Sequence, residues 1–271
     1  MSTKRRPSTP EVPSPLRRGI GAGGTPVPVI VIDDTDAGSE VDGADPFDDE
    51  PVVHRMMQPG RIETAPLEGE LDVFTVSEKI EPAMFGAVGY VKPRLEKRPS
   101  IRVHGRECRQ PRNVGFFSNA PIEPYTYSRS STHEPQPLDK NLTHLLTAVN
   151  HAVPGASFNA ILVNEYGTEG SIGFHADDES GLGENGSVAT LSTGESRSMV
   201  FKDRGTKATV AELHLHHGML VVMRPGFQNK YLHGIPRRKT HVDRCGKRVP
   251  NQSVRISFTF RRHKLVGGAA A

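Results

Sequence analysis

The sequence predicts a mainly β (α+β) domain behind a disordered N-terminal tail, and three observations carry that prediction. The first sixty residues are built from Pro, Ser, Thr, Gly and Asp, with runs such as MSTKRRPSTPEVPSPLRRGIGAGGTP that hold too little apolar surface to offset the entropy of ordering them. From about Leu71 the texture changes to short apolar runs punctuated by Gly and Pro, and everything after Ala156 reads as strands and loops. One helical period stands out. Leu138, Leu142, Leu145, Leu146, Val149 and Val153 recur at spacings of three and four just after Pro135 and Pro137, which predicts an amphipathic helix from Leu138 to Ala152 packed on a sheet. A chain of 271 residues with 35% hydrophobic content can bury one sizeable core. The expected division is a tail over 1–65, a folded domain over 66–265 and a C-terminal tail over 266–271.

Charge divides the same way. Residues 1–60 hold six Lys and Arg against ten Asp and Glu, a net of −4; of the 34 and 31 in the whole chain, 28 and 21 remain, so residues 61–271 carry +7. A basic folded part suits a polyanionic partner, although modest positive charge is also an ordinary route to solubility. Cys108 and Cys245 are too few for a disulfide framework, and no apolar run is long enough for a membrane span or a signal peptide. These features lead us to expect an intracellular monomer of the nucleus or cytoplasm.

Two fragments of the tail stand apart. TKRRP at Thr3 is a short basic cluster of the kind read by nuclear import, or simply a solvated terminus. VPVIVIDDTD at Val27 is a β-branched run followed by acids, able to add itself as a strand to another protein's sheet edge. It resembles a SUMO-interacting motif through Val29 to Ile32; the alternative is an incidental apolar patch.

Within the domain, a weaker helix is expected in SEKIEPAMFGAVG near Ser77, where Pro82 and two glycines argue against it. In FNAILVNEYG the period of two puts Phe158, Ala160, Leu162, Asn164 and Tyr166 on one face and Ile161, Val163 and Glu165 on the other. SIGFHADDES then sets His175 and Asp177 two residues apart, which by itself is either a metal grip or a polar turn. HLHH at His214 reads as sheet or surface histidines, since no cysteine lies nearby to complete a zinc site. MLVVMRPGFQNKYLHGIPR reads as a buried strand from Met219 to Met223, a turn at Pro225 and Gly226, and a second short strand entered by His233. RISFTFR lines Arg255, Ser257, Thr259 and Arg261 on one face and Ile256, Phe258 and Phe260 on the other. Unpaired guanidinium groups facing inward are costly, so that face either meets water at a sheet edge or meets anions.

Two histidines and one carboxylate on one face of an iron ion leave three positions open, enough for a bidentate 2-oxo acid and O₂. With NEYGTEGSIGFHADDE (Asn164 to Glu179), YLHGIP (Tyr231 to Pro236) and RISFTFR (Arg255 to Arg261) in this order, the chain resembles an AlkB-type Fe(II)/2-oxoglutarate dioxygenase. The likeness extends upstream to PRNVGFFS at Pro111 and YTYS at Tyr125, covering about Leu71 to Arg262. It implies a double-stranded β-helix, or jelly roll, with one or two supporting helices, and iron(II) and 2-oxoglutarate as metal and co-substrate. Position by position, it implies that His175, Asp177 and His233 bind iron. Asn164, Tyr166 and Arg255 would hold 2-oxoglutarate, with Arg261 near its carboxylate or the active-site water. The family often has Asn where this chain has Ser257, which shortens one polar contact.

The implied activity is oxidative removal of N-methyl groups, of the 1-methyladenine and 3-methylcytosine type, from DNA or RNA, with release of succinate, CO₂ and formaldehyde. Tyr127 is the expected stacking residue with Tyr125 as its polar neighbour, and Asp178, together with Glu179, is the expected acceptor for an exocyclic amine. Arg237, Arg238 and Lys239 in PRRKTHVDRCGKR are expected on phosphates, and KPRLEKRPSIRVHGRECR from Lys92 is a second basic candidate. A hydroxylase of protein or lipid, and a SUMO-dependent binding module without catalysis, are the alternatives.

Overall fold

In the computed structural model of the chain, the described residues are 67, 69–102, 105–127, 131–179, 181–182 and 186–267, with backbone alone at 29–30, 57–60 and 103. The basic cluster at Thr3, nearly all of the expected tail, Val31 and Ile32 of the SUMO-like run, and residues 268–271 lie outside them. The strands are β1 (Val29–Ile30), β2 (Met57–Gly60), β3 (Leu71–Val76), β4 (Ser100–Val103), β5 (Arg106–Arg109), β6 (Asn113–Phe117), β7 (Tyr125–Tyr127), β8 (Ser131–His133), β9 (Ala160–Tyr166) and β10 (Ile172–His175). There follow β11 (Val188–Gly194), β12 (Arg197–Asp203), β13 (Thr209–Leu215), β14 (Met219–Met223), β15 (Tyr231–Ile235), β16 (Thr240–Val242), β17 (Arg248–Pro250) and β18 (Arg255–Arg261). The helices are α1 (Glu81–Val91), α2 (Lys140–Ala152) and the single turn α3 (Phe227–Lys230).

Two sheets make the body. The larger runs β2-β3-β14-β11-β18-β9-β6, the smaller β1-β13-β12-β15-β10, and every pairing in them is antiparallel except that of β1 with β13. This is the expected mainly β jelly roll with two supporting helices. The outer face of the large sheet offers Ile256, Phe258, Phe260, Ile161 and Val163 to Met84, Ala87 and Val91 of α1 and to Leu142, Leu145 and Val149 of α2. A second apolar cluster, with Val73, Tyr166, Met199, Phe201, Leu213 and Val221, fills the space between the sheets and leaves a polar end beside it.

Local chemistry accounts for the helix boundaries. α1 forms despite Pro82 because the proline sits in the first turn, where its missing N–H has no intrahelical partner to lose. α2 starts two residues later than the leucine spacing suggests: Asp139 is its cap, and its carboxylate accepts from the Leu142 N–H at 2.8 Å. α3 interrupts a stretch expected to be strand and loop, and Gly226 at φ +86° makes the left-handed turn that leads into it.

The strand RISFTFR is no edge. β18 lies between β11 and β9, so Arg255 and Arg261 point into the gap between the sheets, and water is excluded from both. Its register sets Arg255 opposite Tyr166 and Ser257 opposite Asn164, as the alternation of both strands requires.

Candidate active site

The metal grip is made by strand register. β10 and β15 are neighbours, and His175 stands directly across from His233, with a bulge between Ile172 and His175. The two ring centroids are 4.4 Å apart. Gly234 is needed beside them, because a Cβ there would come within 3.1–3.2 Å of the β10 backbone at Ile172 and Gly173. Asp177 follows two residues after His175; its Oδ1 lies 3.6 Å from His175 Nε2 and its Oδ2 3.9 Å from His233 Nε2. One ligand atom from each of the three falls within 4.8 Å of the others, and no other such group of His, Cys, Asp and Glu occurs among the described residues. His214 instead hydrogen-bonds Ser198 Oγ, and His217 bonds Thr193 Oγ1.

Electrostatics suit a cation. His175 Nδ1 is 2.8 Å from the Gly173 carbonyl, to which it donates when Nε2 is left bare for a metal. Burial, aided by His175 and Arg261 and opposed by Asp177, pushes the His233 imidazole down to about 3, so it stays neutral and its lone pair is available. Burial alone would raise the Asp177 carboxyl, but Arg261 and the two histidines outweigh it and hold it below the usual range. Arg261 donates to Asp177 Oδ1 at 2.5 Å, while buried Oδ2 has no hydrogen-bond partner. A carboxylate that gives one oxygen to a guanidinium and keeps the other bare fits a metal ligand.

The co-substrate end lies further along β18. Arg255 is 1% exposed and has no carboxylate partner; it donates to Ser192 Oγ at 2.9 Å, and its guanidinium lies 5.3 Å from the Tyr166 ring centroid. Its Nε is buried without a partner, and burial brings its pKa down to about 10, opposed by the charge interaction with the Tyr166 hydroxyl. A buried guanidinium without a carboxylate partner, in a cavity lined also by His175, Asp177, His233, Asn164 and Tyr166, fits a dicarboxylate whose far end it would hold. Asn164 contributes indirectly, its Oδ1 accepting from Arg112 Nε at 2.8 Å.

Among the expected base contacts, Tyr127 meets His175 edge-on at 6.3 Å between centroids. Tyr125 is buried, and loss of solvent raises its hydroxyl pKa despite Arg261 beside it. The two acids separate. Asp178 turns outward and pairs with Arg204 at 2.9 Å, whereas Glu179 lies 3.5 Å from Arg261 through Oε1 and keeps Oε2 buried without a partner.

Two of the three expected phosphate contacts are already engaged: Arg237 pairs with Glu169, and Arg238 forms a fork on Glu212, one arm of it 2.9 Å long. The second basic segment forms the β4–β5 hairpin, in which every residue of β5 is exposed.

Two residues of the candidate site escaped the sequence reading. Arg112 is buried, holds Asn164, and lies 4.8 Å from the Tyr127 ring centroid, joining the residue expected at the co-substrate to the one expected to stack on the base. It stands within PRNVGFFS, where a lone arginine before a strand carries no periodic signal. Gln228, on α3, accepts from the Asp177 N–H at 3.0 Å, and its only sequence mark is a place five residues before His233.

A family model described as the 2OG-Fe(II) oxygenase superfamily matches residues 81–261, well over half of the chain. The chain therefore belongs to the 2OG-Fe(II) oxygenase superfamily, and iron(II) and 2-oxoglutarate are the metal and co-substrate of that family. Its relatives make it AlkB-like. It is 30% identical over 189 residues to the DNA oxidative demethylase ALKBH2 of Arabidopsis thaliana, covering 60% of this chain and 57% of that protein. It is 32% identical over 161 residues to the alpha-ketoglutarate-dependent dioxygenase alkB homolog 3 of Bos taurus, covering 56% and 51%. The chain thus spans between half and three-fifths of the length of these relatives. The solved structure of OsALKBH1 aligns with 76% of this chain and 100% of its own at a TM-score of 0.47 and 16% identity.

Proposed function

We propose that this protein oxidatively demethylates N-alkylated bases of the 1-methyladenine and 3-methylcytosine type in DNA or RNA. The observation that carries the reading is an aromatic ring and a free acceptor set around the triad: Tyr127 lies edge-on to His175 at 6.3 Å between centroids, and Glu179 Oε2 is buried without a partner. A planar base between two rings needs about 7–8 Å, two van der Waals contacts in series. The two rings now stand at 85°, so Tyr127 would turn through about a right angle and draw back by roughly 1–2 Å to receive a base. Because a paired base cannot reach it, the substrate is single-stranded or flipped out.

The side chains divide the work. His175, Asp177 and His233 hold iron; Arg255 takes the far carboxylate of 2-oxoglutarate, helped by Tyr166, with Asn164 held in place by Arg112. When bound, iron, O₂ and 2-oxoglutarate supply the oxidation that hydroxylates the N-methyl carbon, with succinate, CO₂ and then formaldehyde released. Arg261 fixes the metal carboxylate and the base-reading carboxylate to one guanidinium, so the oxidised carbon and the recognised edge share a frame. Glu179 is better placed than Asp178 to accept from the exocyclic amine.

For the phosphates, the exposed strand β5, with Arg106 and Arg109, is favoured over Arg238, which is half-buried in its fork on Glu212. We assign this catalytic unit to residues 66–265, with the SUMO contact through Val29–Ile32 as a separate property of the tail. Two exposed free thiols, Cys108 and Cys245, suit a reducing intracellular setting. Among the described residues no helix is long and apolar enough to cross a membrane.

The test presents 1-methyladenine and 3-methylcytosine in single- and double-stranded DNA and RNA, with iron, ascorbate and 2-oxoglutarate, and counts formaldehyde. Formaldehyde in step with succinate is expected. Succinate alone on every oligonucleotide would move the substrate to another class.

A further inference from the structure

Beyond β18 the chain crosses the substrate side of the site and is tied on both edges. On one edge, Leu182 and His263 form an antiparallel bridge, and the Lys264 N–H donates to the Gly181 carbonyl at 2.9 Å. On the other, Ile122 and Leu265 form an antiparallel bridge, and the Val266 N–H donates to the Pro121 carbonyl at 2.7 Å. Asn159 anchors the crossing: its Oδ1 accepts from the His263 N–H and its Nδ2 donates to the His263 carbonyl, each at 2.8 Å. The His263 ring is 5% exposed and lies 5.0 Å from the Phe116 ring, which is 5.6 Å from that of Tyr125.

The stretches joined in this way are those the proposed activity needs in register. Gly181 and Leu182 end the turn that starts at Glu179, where the Leu182 N–H donates to the Glu179 carbonyl at 3.0 Å. Pro121 and Ile122 lead into β7, which carries Tyr125 and Tyr127. The crossing chain begins at Arg261, which is itself bound to Asp177 and Glu179.

We propose that Arg262–Val266 is a positioning strap that sets the separation of the Glu179 turn from the Tyr125–Tyr127 segment, and thereby couples oxidation to the correct base. The inference rests on the proposed demethylase reading. The strap touches no reacting atom. It acts through the two segments that do, and through an anchor shared with the metal carboxylate.

Two changes to the full chain test it. A stop after Arg262 removes all of the strap but its first residue; Val266→Pro removes one backbone donor, with Val266→Ala, which keeps that donor, as its control. Hydrogen exchange should quicken over 118–127 in both strap variants and over 179–182 in the truncation, and stay unchanged in β11 and β18. Formaldehyde per succinate should fall about tenfold in the truncation, the scale of losing two ordinary backbone hydrogen bonds, while 2-oxoglutarate affinity holds. Unchanged exchange in the two segments would overturn the strap, and so would a matching loss of 2-oxoglutarate affinity, which would make the segment a general prop. If the intact protein oxidises no nucleic acid, the demethylase reading fails, and the exchange pattern still decides the strap. Should the truncated chain not fold, Val266→Pro against Val266→Ala carries the decision.

Discussion

Replacing Arg255 by Met should push two measurements in opposite directions. Its guanidinium is 1% exposed, is paired with no carboxylate and has a buried Nε without a partner, so in the unliganded protein it is a desolvated charge awaiting an anion. A fork on a carboxylate makes two charge-assisted hydrogen bonds of about 1.5–3 kcal/mol each, or roughly 3–6 kcal/mol together. At about 1.4 kcal/mol per factor of ten, Arg255→Met should weaken 2-oxoglutarate binding by roughly 10²–10⁴. Arg255→Lys, which keeps the charge and loses the fork, should fall between. Removing a buried charge that has no carboxylate partner should meanwhile leave the melting temperature of the unliganded protein unchanged or raise it. Calorimetric titration of 2-oxoglutarate without oxygen gives the first quantity and thermal unfolding the second. Arg238→Ala is the reference, since Arg238 is spent on Glu212 and should leave co-substrate affinity alone. Affinity within threefold of the original in Arg255→Met would refute the clamp, and a melting temperature lowered together with affinity would make Arg255 a structural prop.

Changing His175, Asp177 or His233 to Ala should in each case abolish succinate formation and metal-dependent stabilisation while the circular dichroism of the sheets persists; full turnover in any one would remove that residue from the triad. Tyr127→Ala should cost about 1–3 kcal/mol of stacking, read as a higher KM on methylated oligonucleotides, with substrate-free 2-oxoglutarate consumption unchanged, and Glu179→Gln should alter the preference between methylated adenine and cytosine. Equal turnover of both bases before and after the Glu179 change would count against an edge contact there. Burial, with Arg261 adding to it and Asp177 opposing, lowers the His263 imidazole from 6.5 to about 4. Between those values the unfolded chain takes up a proton that the folded chain refuses, so stability falls as pH drops through that window and levels off below it. His263→Phe should flatten the slope by roughly 2–3 kcal/mol between neutral pH and about pH 4, measured by urea unfolding; an unaltered slope would contradict the burial argument.

Alternation was the most legible feature of this sequence. RISFTFR assigned every one of its side chains to the correct face, and the common face of Asn164 and Tyr166 follows from the same period. What alternation could not show was whether the arginine face met water, because that depends on neighbours far away in the chain: β11 and β9 cover it from both sides. Long-range pairing hid other features in the same way. The fork of Arg238 on Glu212 and the support of Asp177 by Gln228 join residues 26 and 51 positions apart, and no local pattern announces either. The start of α2 was within reach, since Asp139, just after the first leucine of the period, is a cap by composition. Asp178 and Glu179 are chemically alike and adjacent, so only the direction of the turn after β10 separates the one facing Arg204 from the one facing Arg261.

Among the described residues β10 is the outermost strand of its sheet, paired along one side only, and Gly173 and Phe174 within it are exposed. The side chain at its end, His175, is cross-strand partner to His233 on the next strand inward. An ion gripped by both would act as a clasp on an exposed margin, holding the last strand to the sheet by coordination as well as by its backbone ladder. Metal loading and shelter from edge-to-edge association would then be one property, because the strand that frays when the ion leaves is also the strand a second molecule could pair with.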